Sequence, residues 1–148
     1  MRIPVLIAFM ALFVGAAALT TETSHEDARK CFERYVALEA AFDPSVADLY
    51  ADDAKIQNTS ISPDGQKRVT TMSAPAYKEQ IRQTMPAAKP RGDISKYSEL
   101  NLTKEGDRIR VTAIRFSELK RYSTPLSMLV GPDGNGAWRI YEELSESR

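Results

Sequence analysis

The chain has 148 residues, with 20 basic and 20 acidic side chains, one histidine and a formal net charge of zero. That length implies a single domain once a targeting segment is removed, and the charge balance excludes the basic face that nucleic-acid binding requires. The lone cysteine, Cys31, excludes an internal disulfide, so the core alone must hold the fold.

Residues 1–18 read as a secretory signal. Arg2 supplies the positive start, Leu6 to Leu19 is almost wholly apolar, and Ala16, Ala17 and Ala18 offer the small residues a signal peptidase requires. The apolar run falls short of the about 20 residues that span a bilayer comfortably; an uncleaved anchor is the alternative. Cleavage removes only one charge, Arg2, leaving 19 basic against 20 acidic residues. The mature protein is therefore expected to be secreted or periplasmic and free of the membrane, with a polar tail at 19–24 and the folded domain at 25–148.

Ser24, with Asp27 three residues on, has the spacing of a capping box. Ala28, Cys31, Phe32, Tyr35 and Val36 then recur at helical spacing, opposite Arg29, Lys30, Glu33 and Arg34. This predicts an amphipathic helix over about 25–41. Asp43 and Pro44 open a short second helix with Val46, Leu49 and Tyr50 on its apolar face. Asp52 and Asp53 close it, and a strand follows from Lys55 to Ile61. Ser62-Pro63-Asp64-Gly65 is a turn, and Gln66 to Met72 pairs back as a hairpin. Ser73 caps a third helix with Tyr77, Ile81 and Met85 as its buried stripe, and Pro86 is expected to stop it. Beyond a loop over 87–92 the chain is all strand. Tyr97 to Thr103 alternates. In Arg108 to Leu119 the apolar parity switches between Ala113 and Ile114, which implies a bulge or burial on both faces. Ser123 to Gly131 places Leu126, Met128 and Val130 on one side. After the turn Pro132–Gly136, a last strand carries Trp138, Ile140 and Leu144 on one face and Tyr141 on the other. Helices early and long strands late make an α+β order. The expected architecture is a curved antiparallel sheet wrapped on three N-terminal helices, a cone with an apolar cavity between the concave face and the first helix.

On these residues the chain resembles the nuclear transport factor 2-like superfamily, which includes ketosteroid isomerase, scytalone dehydratase and the polyketide cyclases. The likeness rests on Arg34-Tyr35-Val36-Ala37-Leu38 in the first helix, Asp48-Leu49-Tyr50-Ala51-Asp52-Asp53-Ala54 leading into a strand, and Tyr77-Lys78-Glu79-Gln80-Ile81 in the third helix. The long terminal strands complete it, over about residues 25–145. In the isomerase branch, the resemblance implies a helix tyrosine that donates to the substrate oxygen and a strand aspartate that shuttles the proton. A second, protonated acid supports the oxyanion. Tyr35 matches the tyrosine. Asn58 falls where the base should be, and an amide takes up no proton at neutral pH. No carboxylate stands near Leu126 and Ser127, where the second acid belongs. The resemblance also implies a homodimer through the exposed sheet face.

Several side chains keep two readings. Tyr35 is a pocket donor or a core tyrosine with a bonded hydroxyl. Asn58 lines the pocket or makes ordinary strand contacts, and Asn58-Thr59-Ser60 and Asn101-Leu102-Thr103 also match the glycosylation pattern. Asp52-Asp53 is a catalytic pair or a structural corner, and His25 reads as solvated. No His/Cys/carboxylate cluster has metal-ligand spacing, so neither a metal nor a cofactor is expected. One of Glu142 and Glu143 must face inward if alternation holds; buried and unpaired it would be a base, otherwise it pairs with Arg110 or Arg115. Glu118 and Glu99 share those two readings. The favoured reading is a small-ligand-binding or accessory domain without catalytic residues. Tyr35, Asn58, Phe116 and Trp138 would line a cavity for a small apolar ligand. The alternative is an isomerase, dehydratase or hydrolase with Tyr35 as donor and Glu142 or Glu143 as base.

Overall fold

The structure, a computed structural model, describes residues 15–148. Of the segment read as a signal, residues 1–14 lie outside the described residues, and 15–18 belong to the first turn of a helix. Helix α1 (Gly15–Ala40) is followed by a 3₁₀ helix (Pro44–Leu49), β1 (Tyr50–Ile61), β2 (Lys67–Ser73) and helix α2 (Ala74–Ala88). A 3₁₀ turn (Lys89–Arg91) leads to β3 (Ser95–Glu105), β4 (Arg108–Ser117), β5 (Ser123–Pro132) and β6 (Trp138–Ser147). The strands form one curved, open sheet of order β2-β1-β6-β5-β4-β3. Every neighbouring pair is antiparallel except β1 with β6.

Helix α1 begins ten residues before the expected start, so the 19–24 stretch expected as a polar tail is helical. Ser24 is not a cap: its hydroxyl donates to the Thr20 carbonyl at 2.8 Å, spending itself on the preceding turn. The expected stripe is correct, with Ala28, Cys31, Phe32 and Tyr35 buried. Burial pushes the Cys31 thiol up to about 11, so it acts as a small hydrophobe. His25, expected in solvent, is half-buried, and its Nε2 is shielded. Asp43 accepts from the Ser45 N–H at 2.8 Å and starts the 3₁₀ helix. Ser73 caps α2 through the Ala76 N–H. Pro86 does not stop α2, which continues to Ala88; so near the end a proline forfeits little helix.

The sheet's inner face carries the core. Leu126, Met128 and Val130 of β5 and Ile109, Val111 and Ala113 of β4 are all buried, with α1 packed on β3 and β4 and α2 on β1. Each such aliphatic side chain contributes about 1.5–3 kcal/mol of burial. Strand β4 pairs continuously with β5. Its parity therefore never switches: Ile114 and Phe116 stay on the outer face, which is apolar in its own right.

Two bulges, in β3 and β6, decide which residues point inward there, and β1 slips its register against β6 between Tyr50 and Lys55. In β3 the register slips between Ser98 and Asn101, with Glu99 at φ 55°, so Tyr97, Leu100 and Leu102 all pack toward the core. In β6 Val130 faces Ile140 but Leu129 faces Glu142, making Tyr141 the extra residue. Tyr141 is pinned there: its hydroxyl donates to the Pro132 carbonyl at 3.1 Å and the Arg108 guanidinium stacks 3.6 Å above its ring. Gly131 leaves room for that arginine, since a Cβ there would stand 2.8 Å from Arg108 Cγ. Past the bulge it is Glu143, not Leu144, that follows Ile140 onto the inner face.

Candidate functional site

Glu143 is 2% exposed at the centre of the sheet's concave face. Two tyrosines hold its carboxylate. Tyr50, the first residue of β1, donates its hydroxyl to Oε2, and Tyr77, from the first turns of α2, donates to Oε1 at 3.3 Å. The two rings meet edge to face at 5.3 Å. Helical spacing alone places both tyrosines in apolar stripes. Their hydroxyls are aimed inward because the short 3₁₀ helix and α2 pack together over β1. Burial pushes the Glu143 carboxyl above the ordinary glutamate range, while the two hydroxyls and the nearby Arg115 pull it back part of the way. Burial, with the Glu143 charge beside it, lifts the Tyr50 and Tyr77 hydroxyls well above theirs, so both remain protonated donors.

A second carboxylate lies near the same interior. Tyr97 of β3 donates to Glu39 at the end of α1, whose carboxyl burial also raises. Tyr35 packs against Tyr97 with ring centroids 6.3 Å apart and stacks on Phe32 at 6.1 Å. Arg115 lies near enough to both acidic groups to lower their carboxyls in part. Its only hydrogen bond among the described residues runs from Nη2 to the Glu146 carbonyl at 3.2 Å, and no carboxylate lies within 4.0 Å.

Glu143 lines a cleft of about 540 Å³ bounded by Ile56 and Asn58 of β1, Thr70 and Met72 of β2, Tyr77 of α2 and Arg115 of β4. The walls are mixed rather than apolar. Asn58 uses both ends of its amide: Nδ2 donates to Ser145 Oγ at 3.0 Å and Oδ1 accepts from Ser147 Oγ at 3.0 Å. An aspartate could not make the first of these bonds. The other three expected cavity residues lie elsewhere. Tyr35 is 5% exposed within the Phe32–Tyr97 cluster. Phe116 is on the outer face under Arg121, whose guanidinium carbon lies 5.3 Å from the ring centroid. Trp138 packs half-buried against the core where β6 begins. Of the two glutamates, Glu142 is the outward one and pairs with Arg110 at 2.6 Å. Asp52 and Asp53 do not close a helix, which ends at Leu49, but lie within β1, where Asp52 is exposed and bound to Lys78 at 2.6 Å. Among the described residues no group of His, Cys, Asp and Glu is arranged to hold a metal ion.

No family model matches the sequence, and no curated protein does. Solved structures match at the level of fold. A nuclear transport factor 2-like protein from Novosphingobium aromaticivorans, with a cystatin-like fold, superposes with a TM-score of 0.65 at 19% identity, covering 94% of this chain and 91% of that one. A protein of the same fold and unknown function from Pseudomonas putida gives a TM-score of 0.64 at 15% identity, over 86% and 88%. A provisionally assigned ketosteroid isomerase from Shewanella frigidimarina gives 0.58 at 17%, over 80% and 94%.

Proposed function

With the nuclear transport factor 2-like fold as the premise, we propose that this chain is a secreted or periplasmic binding protein for a small molecule. The ligand enters the cleft beside Asn58, lays its apolar part on Ile56 and Met72 and meets Tyr77, Arg115 and Glu143 with a polar group. The observation that carries this reading is Glu143. A carboxylate 2% exposed, held by two tyrosine hydroxyls and still lining an open cleft of about 540 Å³, is a preorganised polar floor of the kind ligand sites use. We further propose that two copies pair through the outer sheet face.

A second reading has one specific observation in its favour. The raised Glu143 carboxyl beside two protonated hydroxyls is the arrangement that proton transfer next to a carbonyl requires, with Tyr77 or Tyr50 rather than Tyr35 as donor. One experiment separates the two. Cyclic ketones added to the full chain are expected to raise its melting temperature, and to do so in Glu143→Gln as well, without solvent exchange of the protons next to the carbonyl. A ligand at 100 times its Kd stabilises by about 2.7 kcal/mol. Catalysed exchange in the native chain that Glu143→Gln abolishes would replace binding with catalysis. A panel of ketones and alcohols that leaves the melting temperature unmoved would defeat both.

A further inference from the structure

We propose that the opposite end of the cone, where α1 and α2 finish, is a second site, for a small organic carboxylate held by Arg115 and Thr124. The hollow there measures about 320 Å³ and shares only Arg115 with the cleft described above. Arg115 and Thr124 stand directly opposite each other on β4 and β5, so their side chains leave the sheet on the same face as neighbours. Thr124 is 1% exposed and lines the hollow, yet among the described residues its hydroxyl has no hydrogen-bond partner. Buried hydroxyls are ordinarily bonded. Arg115, as noted, bonds one main-chain carbonyl and no carboxylate, leaving most of its five N–H donors uncommitted. A guanidinium with an adjacent hydroxyl is complementary to a carboxylate, which accepts two parallel bonds from the one and a third from the other.

The rest of the hollow fits an anion with an apolar body. Arg91 and Lys120 line it without an ion-pair partner among the described residues and draw negative charge toward it. Its two carboxylates are already engaged: Glu39 accepts from Tyr97, and Asp93 accepts from Ser117 Oγ at 2.8 Å and from the Leu119 N–H at 3.2 Å. Burial raises the Glu39 carboxyl, so it can discharge by taking up a proton as an anion arrives. Phe42, Met85 and Ala88 supply apolar wall.

The test is a titration of the isotope-labelled full chain with hexanoate, against hexanol and hexylammonium, read by NMR. Hexanoate is expected to give saturable shifts centred on Thr124, Ser117 and Leu119, with the two controls at least tenfold weaker. Thr124→Val, which keeps the shape and removes the hydroxyl, is expected to weaken hexanoate about tenfold while raising the melting temperature by a few degrees, because an unbonded buried hydroxyl is gone. Thr124→Ala gives the same affinity reading should valine fail to pack. Unchanged affinity in these variants, equal binding of hexanol, no saturable binding at millimolar hexanoate, or shifts centred on Asn58 and Tyr77 would each overturn the proposal. Ketone shifts at Asn58 and Tyr77 report on the first cleft separately, so the two readings fail independently.

Discussion

Glu143 is where a single side chain sets a property of the whole protein. Burial raises its carboxyl above the ordinary glutamate range in the folded state, so the native chain binds that proton more tightly than the unfolded chain does. The stability this contributes is complete at acid pH below the unfolded value, where both states are protonated. It is lost as pH rises through the raised folded value. Glu39, raised by burial as well, adds a slope of the same sign. Glu143→Gln keeps the shape and can still bond both tyrosines, but cannot ionise. Urea midpoints measured across pH should therefore converge at acid pH, below the ordinary glutamate range, and separate toward neutrality, the variant being the more stable. The gap is about 1.4 kcal/mol for each tenfold change in proton affinity removed. A variant less stable than the native chain at pH 7 would show that the tyrosine bonds and Arg115 outweigh desolvation.

At the scale of the strand, the two bulges are the features that local pattern does not announce. Glu99 holds φ 55°, a left-handed conformation that costs a residue with a side chain about 1–2 kcal/mol. Glu99→Gly is expected to recover about 1 kcal/mol of this, partly offset by the looser unfolded chain, and Glu99→Val to destabilise; denaturant midpoints of the pair check both signs. The elements themselves were legible. Turns such as Pro132–Gly136 are specified by their own residues, and the alternation of Leu126, Met128 and Val130 reads directly as an inner face. Tyr141 carries no such mark. Its role as the extra residue depends on Arg108 and Gly131, neither of which adjoins it in sequence, so strict alternation assigned Leu144 to the core where Glu143 stands. For the same reason Tyr50 and Tyr77 read as stripe residues: helical spacing reports that a hydroxyl is buried, not what it meets. Asn58 is reached through the resemblance, at the place of the isomerase base, and the structure puts it on the cleft wall.

For the molecule as a whole, the outer face of the sheet is the feature a monomer leaves unexplained. Ile114, Phe116, Leu129 and Leu144 are half-buried there, and Ile114 and Leu144 line a hollow of about 360 Å³ together with Thr112 and Ser127. If two copies pair through it, light scattering at micromolar concentration should give a dimer, and Leu144→Lys should give a folded monomer. A native chain that stays monomeric at millimolar concentration would rule the pairing out. The order β2-β1-β6-β5-β4-β3 has a further consequence. The last of the six strands in chain order, β6, is the one that joins the two halves of the sheet, and it also brings the carboxylate to the cleft. A nascent chain can close the β1–β2 hairpin and the β3-β4-β5 meander, but not the sheet, until the residues of β6, Trp138–Ser147, emerge. Loss of those residues would leave two separate β fragments rather than a shortened domain.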